Sequence, residues 1–150
     1  MVTKAGFMQE ALHMARQGEL AGEVPVGAIV VLDGEIIGRG INQTRRDNDP
    51  SAHAEIVAMR QAASHIGSAR LAGCDLWVTL EPCTMCAGAI SHARIRRLYY
   101  GAKDTKGGAV ESGVRFFNSP ACLHAPDVYS GIAESECADL LTAFFAARRD

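Results

Sequence analysis

The sequence predicts one α/β domain. Three observations predict it: apolar residues repeat with a helical period near both ends of the chain, short β-branched runs alternate with helical stretches between them, and the 150 residues contain no internal repeat, linker or low-complexity tract. A chain of this length buries roughly two thirds of its unfolded surface and needs no disulfide staples.

Phe7, Ala11, Leu12, Met14 and Ala15 recur at helical spacing as far as Gly18, which predicts a first helix ending there. Glu19 to Pro25 is rich in turn residues. Val26 to Leu32 is apolar and β-branched, Asp33-Gly34 is a strong two-residue turn signal, and Glu35 to Gly40 returns, so these segments predict a β-hairpin. Asn42 to Pro50 is polar and punctuated by Asp49-Pro50. Ser51 then predicts the cap of a helix carrying Ile56, Met59, Ala63 and Ile66 on one side. Asp75 to Leu80 reads as a buried strand, Cys83 to Ala93 as a short helix and Arg97 to Gly101 as another strand. Lys103 to Tyr129 is rich in Gly, Pro and polar residues and is long for a connection, which predicts a binding loop. Glu134 to Arg149, with Cys137, Leu140, Leu141, Phe144 and Phe145 apolar, predicts a closing helix. The expected order is α-β-β-α-β-α-β, a loop and a last helix.

A formal net charge of -2 gives no global attraction to polyanions and, taken alone, weighs against nucleic acid as a partner. The five cysteines are an odd number, and Met1 to Gly18 lacks the apolar core of a signal peptide, so a reducing, cytoplasmic compartment is expected. No run approaches the ~18 apolar residues of a membrane span.

The chemistry is concentrated in two short motifs. His53-Ala54-Glu55 and Pro82-Cys83-Thr84-Met85-Cys86 bring together one imidazole, two thiols and one carboxylate. Two cysteines separated by two residues at a helix start turn both sulfurs to one side, and the unpaired N–H groups there favour thiolates, which suit a soft cation such as Zn2+. Structural zinc sites close with four protein ligands, whereas catalytic sites use three and keep a position for water. Cys74, Cys122, Cys137, His65, His92 and His124 sit in no comparable motif, so three ligands, His53, Cys83 and Cys86, are the economical reading. A Cys-x-x-Cys alone equally describes a redox pair or half of a structural site; the upstream His-Ala-Glu is what turns the reading toward catalysis.

Glu55, two residues past His53, is placed to face a water at the metal without being a ligand, which suits a proton shuttle. Hydrolytic deamination needs such a shuttle, because attack at a purine C6 or pyrimidine C4 must be matched by protons on the ring nitrogen and on departing ammonia. His-x-Glu with Pro-Cys-x-x-Cys is the pattern of zinc nucleobase deaminases.

At Asn42, Pro50 to Glu55, Val78 to Ile90, Gly101-Ala102-Lys103-Asp104 and Phe144-Phe145-Ala146-Ala147-Arg148-Arg149, the sequence resembles the bacterial tRNA-specific adenosine deaminases, a branch of the cytidine deaminase-like superfamily. The likeness runs from about Phe7 to Arg149. It implies a three-layer α/β/α domain with a mixed, mainly five-stranded sheet. One Zn2+ per chain is implied, on His53, Cys83 and Cys86, with Glu55 as general acid/base. The substrate implied is a tRNA anticodon loop whose first (wobble) adenosine becomes inosine, and the assembly is a homodimer whose interface helps shape the RNA site. Asn42 would hydrogen-bond the flipped base with Val26 packed beside it, Asp104 and Lys106 would lie near the sugar-phosphate of flanking nucleotides, and Phe145 and Arg148 would touch the RNA from the last helix.

Other readings stand beside these. Asn42 also fits a solvated turn, Asp104 and Lys106 an ordinary exposed loop, and one of Phe144 and Phe145 a core position. Gln43-Thr44 follows Asn42 where relatives often carry Arg-Pro, and Arg45, Arg46, Arg94, Arg96, Arg97, Lys103, Lys106 and Arg115 form no continuous stripe, although several would converge across a dimer cleft. The competing functions are a deaminase of a free base or nucleotide, of guanine or cytosine type, and a non-catalytic zinc-stabilised RNA-binding module. An unligated carboxylate at position 55 argues against the last.

Overall fold

In a computed structural model that describes residues 3–148, the elements run α1 (Lys4–Leu20), β1 (Gly27–Leu32), β2 (Glu35–Ile41), α2 (Ala54–Ile66), β3 (Asp75–Leu80), α3 (Thr84–Ala93), β4 (Arg97–Ala102), β5 (Asp127–Tyr129) and α4 (Glu134–Ala147), with one 3-10 turn at Phe116–Asn118. The sheet order is β2-β1-β3-β4-β5. The pairings β1–β2 and β1–β3 are antiparallel, and β3–β4 and β4–β5 are parallel. This is the mixed five-stranded sheet that the resemblance implied.

Helices cover both faces, which is why β1 and β3 are apolar at nearly every position rather than at alternate ones. Ala28, Val30, Leu76, Val78, Leu98 and Tyr100 point toward α2 and α3, where they join Ala58, Met59, Ala62 and Ile90. Their neighbours Ile29, Val31, Trp77 and Tyr99 point the other way, into Phe7, Met8, Ala11 and Leu12 of α1 and Cys137 of α4. The result is three layers. Trp77 stacks flat on Tyr99 with ring centroids 3.8 Å apart, and Tyr129 extends the stack to the sheet edge at 4.9 Å.

The hairpin turn matches its sequence signal. Asp33 (φ 50°) and Gly34 (φ 81°) are both left-handed, as a two-residue turn between twisted strands requires. Two glycines of β2 let α2 lie directly on the strand: a Cβ at Gly38 would stand 2.3 Å from the Ala58 carbonyl oxygen, and one at Gly40 would stand 2.1 Å from that of Ala54. At the sheet edge, the Arg39 backbone N–H donates to Oε1 of Gln61 on α2 at 2.7 Å.

Several expectations need correcting. The first helix passes through Gly18 and ends at Leu20, because the left-handed residue that stops it is Gly22 (φ 85°) rather than Gly18. Ser51 does not cap α2: its hydroxyl and N–H both donate to Oδ1 of Asp49, and His53 occupies the cap position. The buried side of α2 is Ala54, Glu55, Ala58, Met59 and Ala62, while Ile66 is 39% exposed. Small residues won that face because α2 packs against strand glycines. The stretch 103–129 is not all loop, since it contains the 3-10 turn and β5, a three-residue strand too short to show a period. Arg149, expected at the end of α4, lies outside the described residues.

Candidate active site

Four chain segments converge at one end of the sheet: the entry to β1, the exit of β2, and the starts of α2 and α3. His53 is the cap residue of α2 and Cys83 the cap residue of α3; neither caps with its side chain, so both side chains are available elsewhere. Nδ1 of His53 lies 3.6 Å from Sγ of Cys83 and 3.5 Å from Sγ of Cys86, and the three donor atoms fall within 4.8 Å of one another. Zn–S bonds of about 2.3 Å and Zn–N bonds of about 2.0–2.1 Å at the tetrahedral angle separate nitrogen from sulfur by about 3.6 Å. The donors therefore already hold the spacing of a zinc site. Among the described residues this is the one such cluster. Cys74 and Cys137 are buried in the two cores, Cys122 is bonded to the His124 carbonyl, His124 faces the Ile95 carbonyl, and His65 and His92 are exposed.

The electrostatics fit a soft cation. A hydrogen bond with Cys86, then one with His53, draws the Cys83 thiol down to about 4 against the opposing effect of burial. The same bond and burial push Cys86 up, and the bond to Cys83 raises His53. Two helix N-termini beside the pair also favour negative charge on the sulfurs.

Glu55 is only 4% exposed. Burial raises its carboxyl above the usual range, with its own backbone amide and His53 pulling the other way. It shares a cavity of about 250 Å3 with His53, Cys83, Val24, Val26, Asn42, Thr44, Leu80, Glu81 and Asp104, at the small end for ligand pockets and suited to a single ring system. Asn42 has a second task there. Its Oδ1 accepts the Ala54 N–H at 3.0 Å and its Nδ2 donates to the Val24 carbonyl at 3.3 Å, so it ties the first turn of α2 to the β1 entry.

The other expected residues divide. Val26 and Asp104 line the cavity, with Oδ1 of Asp104 turned inward to accept the N–H groups of Lys106 and Gly107. Lys106 is exposed and outside the cavity wall. Phe144 is the core phenylalanine and Phe145 is 49% exposed. The Arg148 guanidinium sits 3.8 Å above the Phe144 ring and lines a more open cavity with Arg45 and Arg46. Those two arginines, scattered in the sequence reading, are brought to Arg148 by Glu23. That buried carboxylate accepts the Arg45 and Arg46 N–H groups at 3.3 and 2.8 Å. Glu23 and Glu81 are the two structural residues the sequence reading missed; a buried carboxylate serving loop amides has no local pattern to announce it.

Residues 1–102 match the family model of the cytidine and deoxycytidylate deaminase zinc-binding region. The chain is 61% identical over 149 residues to the tRNA-specific adenosine deaminase of Agrobacterium fabrum, covering 99% of this chain and 98% of that protein. It also superposes on a solved structure from a study of A-to-I editing by tRNA:A34 deaminases at the wobble position of transfer RNA, with TM-score 0.89 and 64% identity over 90% of this chain and 98% of that one. A guanine deaminase structure from Bacillus subtilis matches with TM-score 0.66 and 35% identity, over 99% and 95% of the two chains.

Proposed function

The chain belongs to the zinc-binding cytidine and deoxycytidylate deaminase family, in its tRNA-specific adenosine deaminase branch, and from that premise we propose that it converts adenosine to inosine by hydrolysis at the first anticodon position of a tRNA. The observation that carries the proposal is the buried Glu55 carboxylate facing the same base-sized cavity as the His53, Cys83 and Cys86 donors. A redox pair or a structural zinc site has no use for it.

His53, Cys83 and Cys86 hold one zinc, which when bound supplies positive charge and lowers the pKa of a water to about 7. Glu55 takes a proton from the attacking water as the C–O bond forms at C6 and passes it to the ring nitrogen; it then takes the proton of the new C6 hydroxyl and passes it to the departing amino group, so that the carbonyl forms, the C–N bond breaks and ammonia leaves. Burial, which raises its pKa, favours the protonated form that it must hold between the two transfers. Asn42 orients the flipped base and Val26 packs against it. Because a base in a single-stranded loop is cheaper to extrude than one in a duplex, an anticodon loop is a sensible substrate.

The flanking nucleotides supply affinity that one base cannot. Arg45, Arg46 and Arg148 line a cavity built from the residues next to Thr44 and Val24, a path for phosphates leaving the base pocket, with Asp104, Lys106 and Phe145 on the other contacts. The whole chain acts as a single deaminase domain in the cytoplasm, as a homodimer. The mainly apolar groove of Ile56, Met59, Ala63, Leu71, Ala89 and Ala93 between α2 and α3, with Arg60 in its wall, is the seam proposed for the second copy. No described helix is long and apolar enough to cross a membrane.

The test is inosine formation by the zinc-loaded protein on a tRNA pool, with free adenosine, guanine and cytidine as competitors for the assignment. Inosine at the first anticodon position, inhibited by rising salt as phosphate contacts are screened, is the expected result. Rapid turnover of free guanine, which the 35% identical guanine deaminase makes the informative control, with no inosine in tRNA would overturn it.

A further inference from the structure

We propose that Glu81 is a positioning residue that fixes the substrate-facing loop 104–112 against the metal-ligand segment. The proposal rests on the deaminase reading above. Glu81 is 2% exposed and no described cation pairs with it. Five donors meet its charge instead, all from one loop. Oε1 accepts the Asp104 N–H at 3.0 Å and the Ser112 hydroxyl at 2.9 Å, and Oε2 accepts the N–H groups of Val110, Glu111 and Ser112 at 3.1, 2.9 and 2.9 Å. Hydrogen bonds to a charged group are about twice as strong as neutral ones. The loop is therefore held at both ends by one side chain.

The location gives this clamp a role beyond folding. Glu81 stands two residues before Cys83, and the intervening Pro82 carbonyl accepts the Ala109 N–H at 2.9 Å while Cys83 bridges to Gly108. Gly108 has no room for a side chain: a Cβ there would lie 2.4 Å from the Asp104 carbonyl oxygen and 2.5 Å from the Glu81 carboxyl carbon. At the other end of the loop Asp104 reaches the cavity wall. A single carboxylate thus sets the distance between a metal ligand and a residue expected beside the substrate, and a displacement of about 1 Å at such a place can cost on the order of 100-fold in rate.

Glu81→Gln is the discriminating substitution, because an amide offers one acceptor where the carboxylate offers two. The orientation that keeps the three Oε2 bonds turns the NH2 group toward the Asp104 N–H, and that bond alone is lost with nothing to replace it. The expected result is full zinc content, faster hydrogen exchange at the amides of 104–112, and kcat/KM on an anticodon stem-loop lowered roughly 10- to 100-fold. If Glu81 acts through Asp104, the Glu81→Gln, Asp104→Ala double variant loses no more than about threefold beyond Asp104→Ala alone, whereas independent effects multiply. Multiplying effects, or unchanged exchange at 104–112, would overturn the proposal. Should Glu81→Gln fail to fold, Ser112→Ala removes one of the five donors and is expected to raise KM with zinc retained; wild-type kinetics and exchange in that variant would count against the clamp. A wild-type protein that makes no inosine refutes the function and leaves hydrogen exchange to decide the clamp.

Discussion

Gly40→Ala tests whether the seating of one helix on one strand governs the chemistry. The new Cβ would stand 2.1 Å from the Ala54 carbonyl oxygen and 2.6 Å from the Ala58 nitrogen, where ordinary contact begins at 3.4 Å, and both atoms are backbone. No rotamer can relieve this, so α2 must retreat from β2 by about 1.3 Å or the strand must buckle. Overpacking of this kind costs about 1–3 kcal/mol of stability. The helix that moves carries His53 and Glu55 at its start, and Cys83 and Cys86 belong to a different helix, so the four side chains lose register by about the shift itself. A misplacement near 1 Å costs on the order of 100-fold in rate. Urea unfolding should show the stability loss, and single-turnover deamination of an anticodon stem-loop at saturating zinc should show the rate loss. A variant within about 0.5 kcal/mol of wild type that deaminates at the wild-type rate would refute the reasoning, since it would mean that α2 does not couple strand packing to the site.

Three further outcomes are expected. Glu55→Gln should retain one zinc per chain by metal analysis while losing at least about 10²–10⁴-fold in turnover, because it removes the proton relay and no ligand; loss of zinc would reassign the carboxylate as a ligand. Cys86→Ser should lower zinc affinity and, through it, thermal stability, and stripping the wild type with a chelator should shift its melting temperature in the same direction, because an ion bound to the native state alone stabilises it. Cys137, buried between α4 and Gly101, has its thiol pushed up to about 12, chiefly by burial. The unfolded thiol ionises first, so Cys137 should contribute a stability loss of about 1.4 kcal/mol per pH unit between roughly pH 9 and pH 12. A Cys137→Ala variant with the same alkaline slope would show that the thiol is not responsible.

The site was legible where chemistry dictates local spacing. His53-Ala54-Glu55 and Cys83-Thr84-Met85-Cys86 are short because each is the first turn of a helix, where donors close in sequence are close in space. The hairpin was legible for the same reason, since Asp33-Gly34 is the turn itself. What stayed hidden depends on contacts across the chain. Ser51 looks like a helix cap by local rules, yet Asn42, twelve residues before Ala54, satisfies the first-turn amide, so the base-facing asparagine and the helix start are one unit. The apolar stripe expected on α2 is only part of its packed face: Met59 joins the core and Ile56 and Ala63 lean on it, but the deepest contacts are Ala54, Ala58 and Ala62, because two strand glycines let the helix backbone approach. Glu23 and Glu81 serve amides 22 to 31 residues away. The convergence of Arg45, Arg46 and Arg148 likewise needs two segments more than a hundred residues apart to meet.

The treatment of the sheet's rims bears on how this chain behaves when crowded. A strand rim with open N–H groups is a template on which another chain's strand can assemble. Here one rim is the three-residue β5, too brief to seed such growth, and on the other the Gln61 side chain occupies the Arg39 amide that an incoming strand would need. Gln61→Ala changes no residue that lines the cavity and reopens that amide, making strand exchange and fibrillar precipitation at high concentration the failure to watch for in any variant or fusion that disturbs α2.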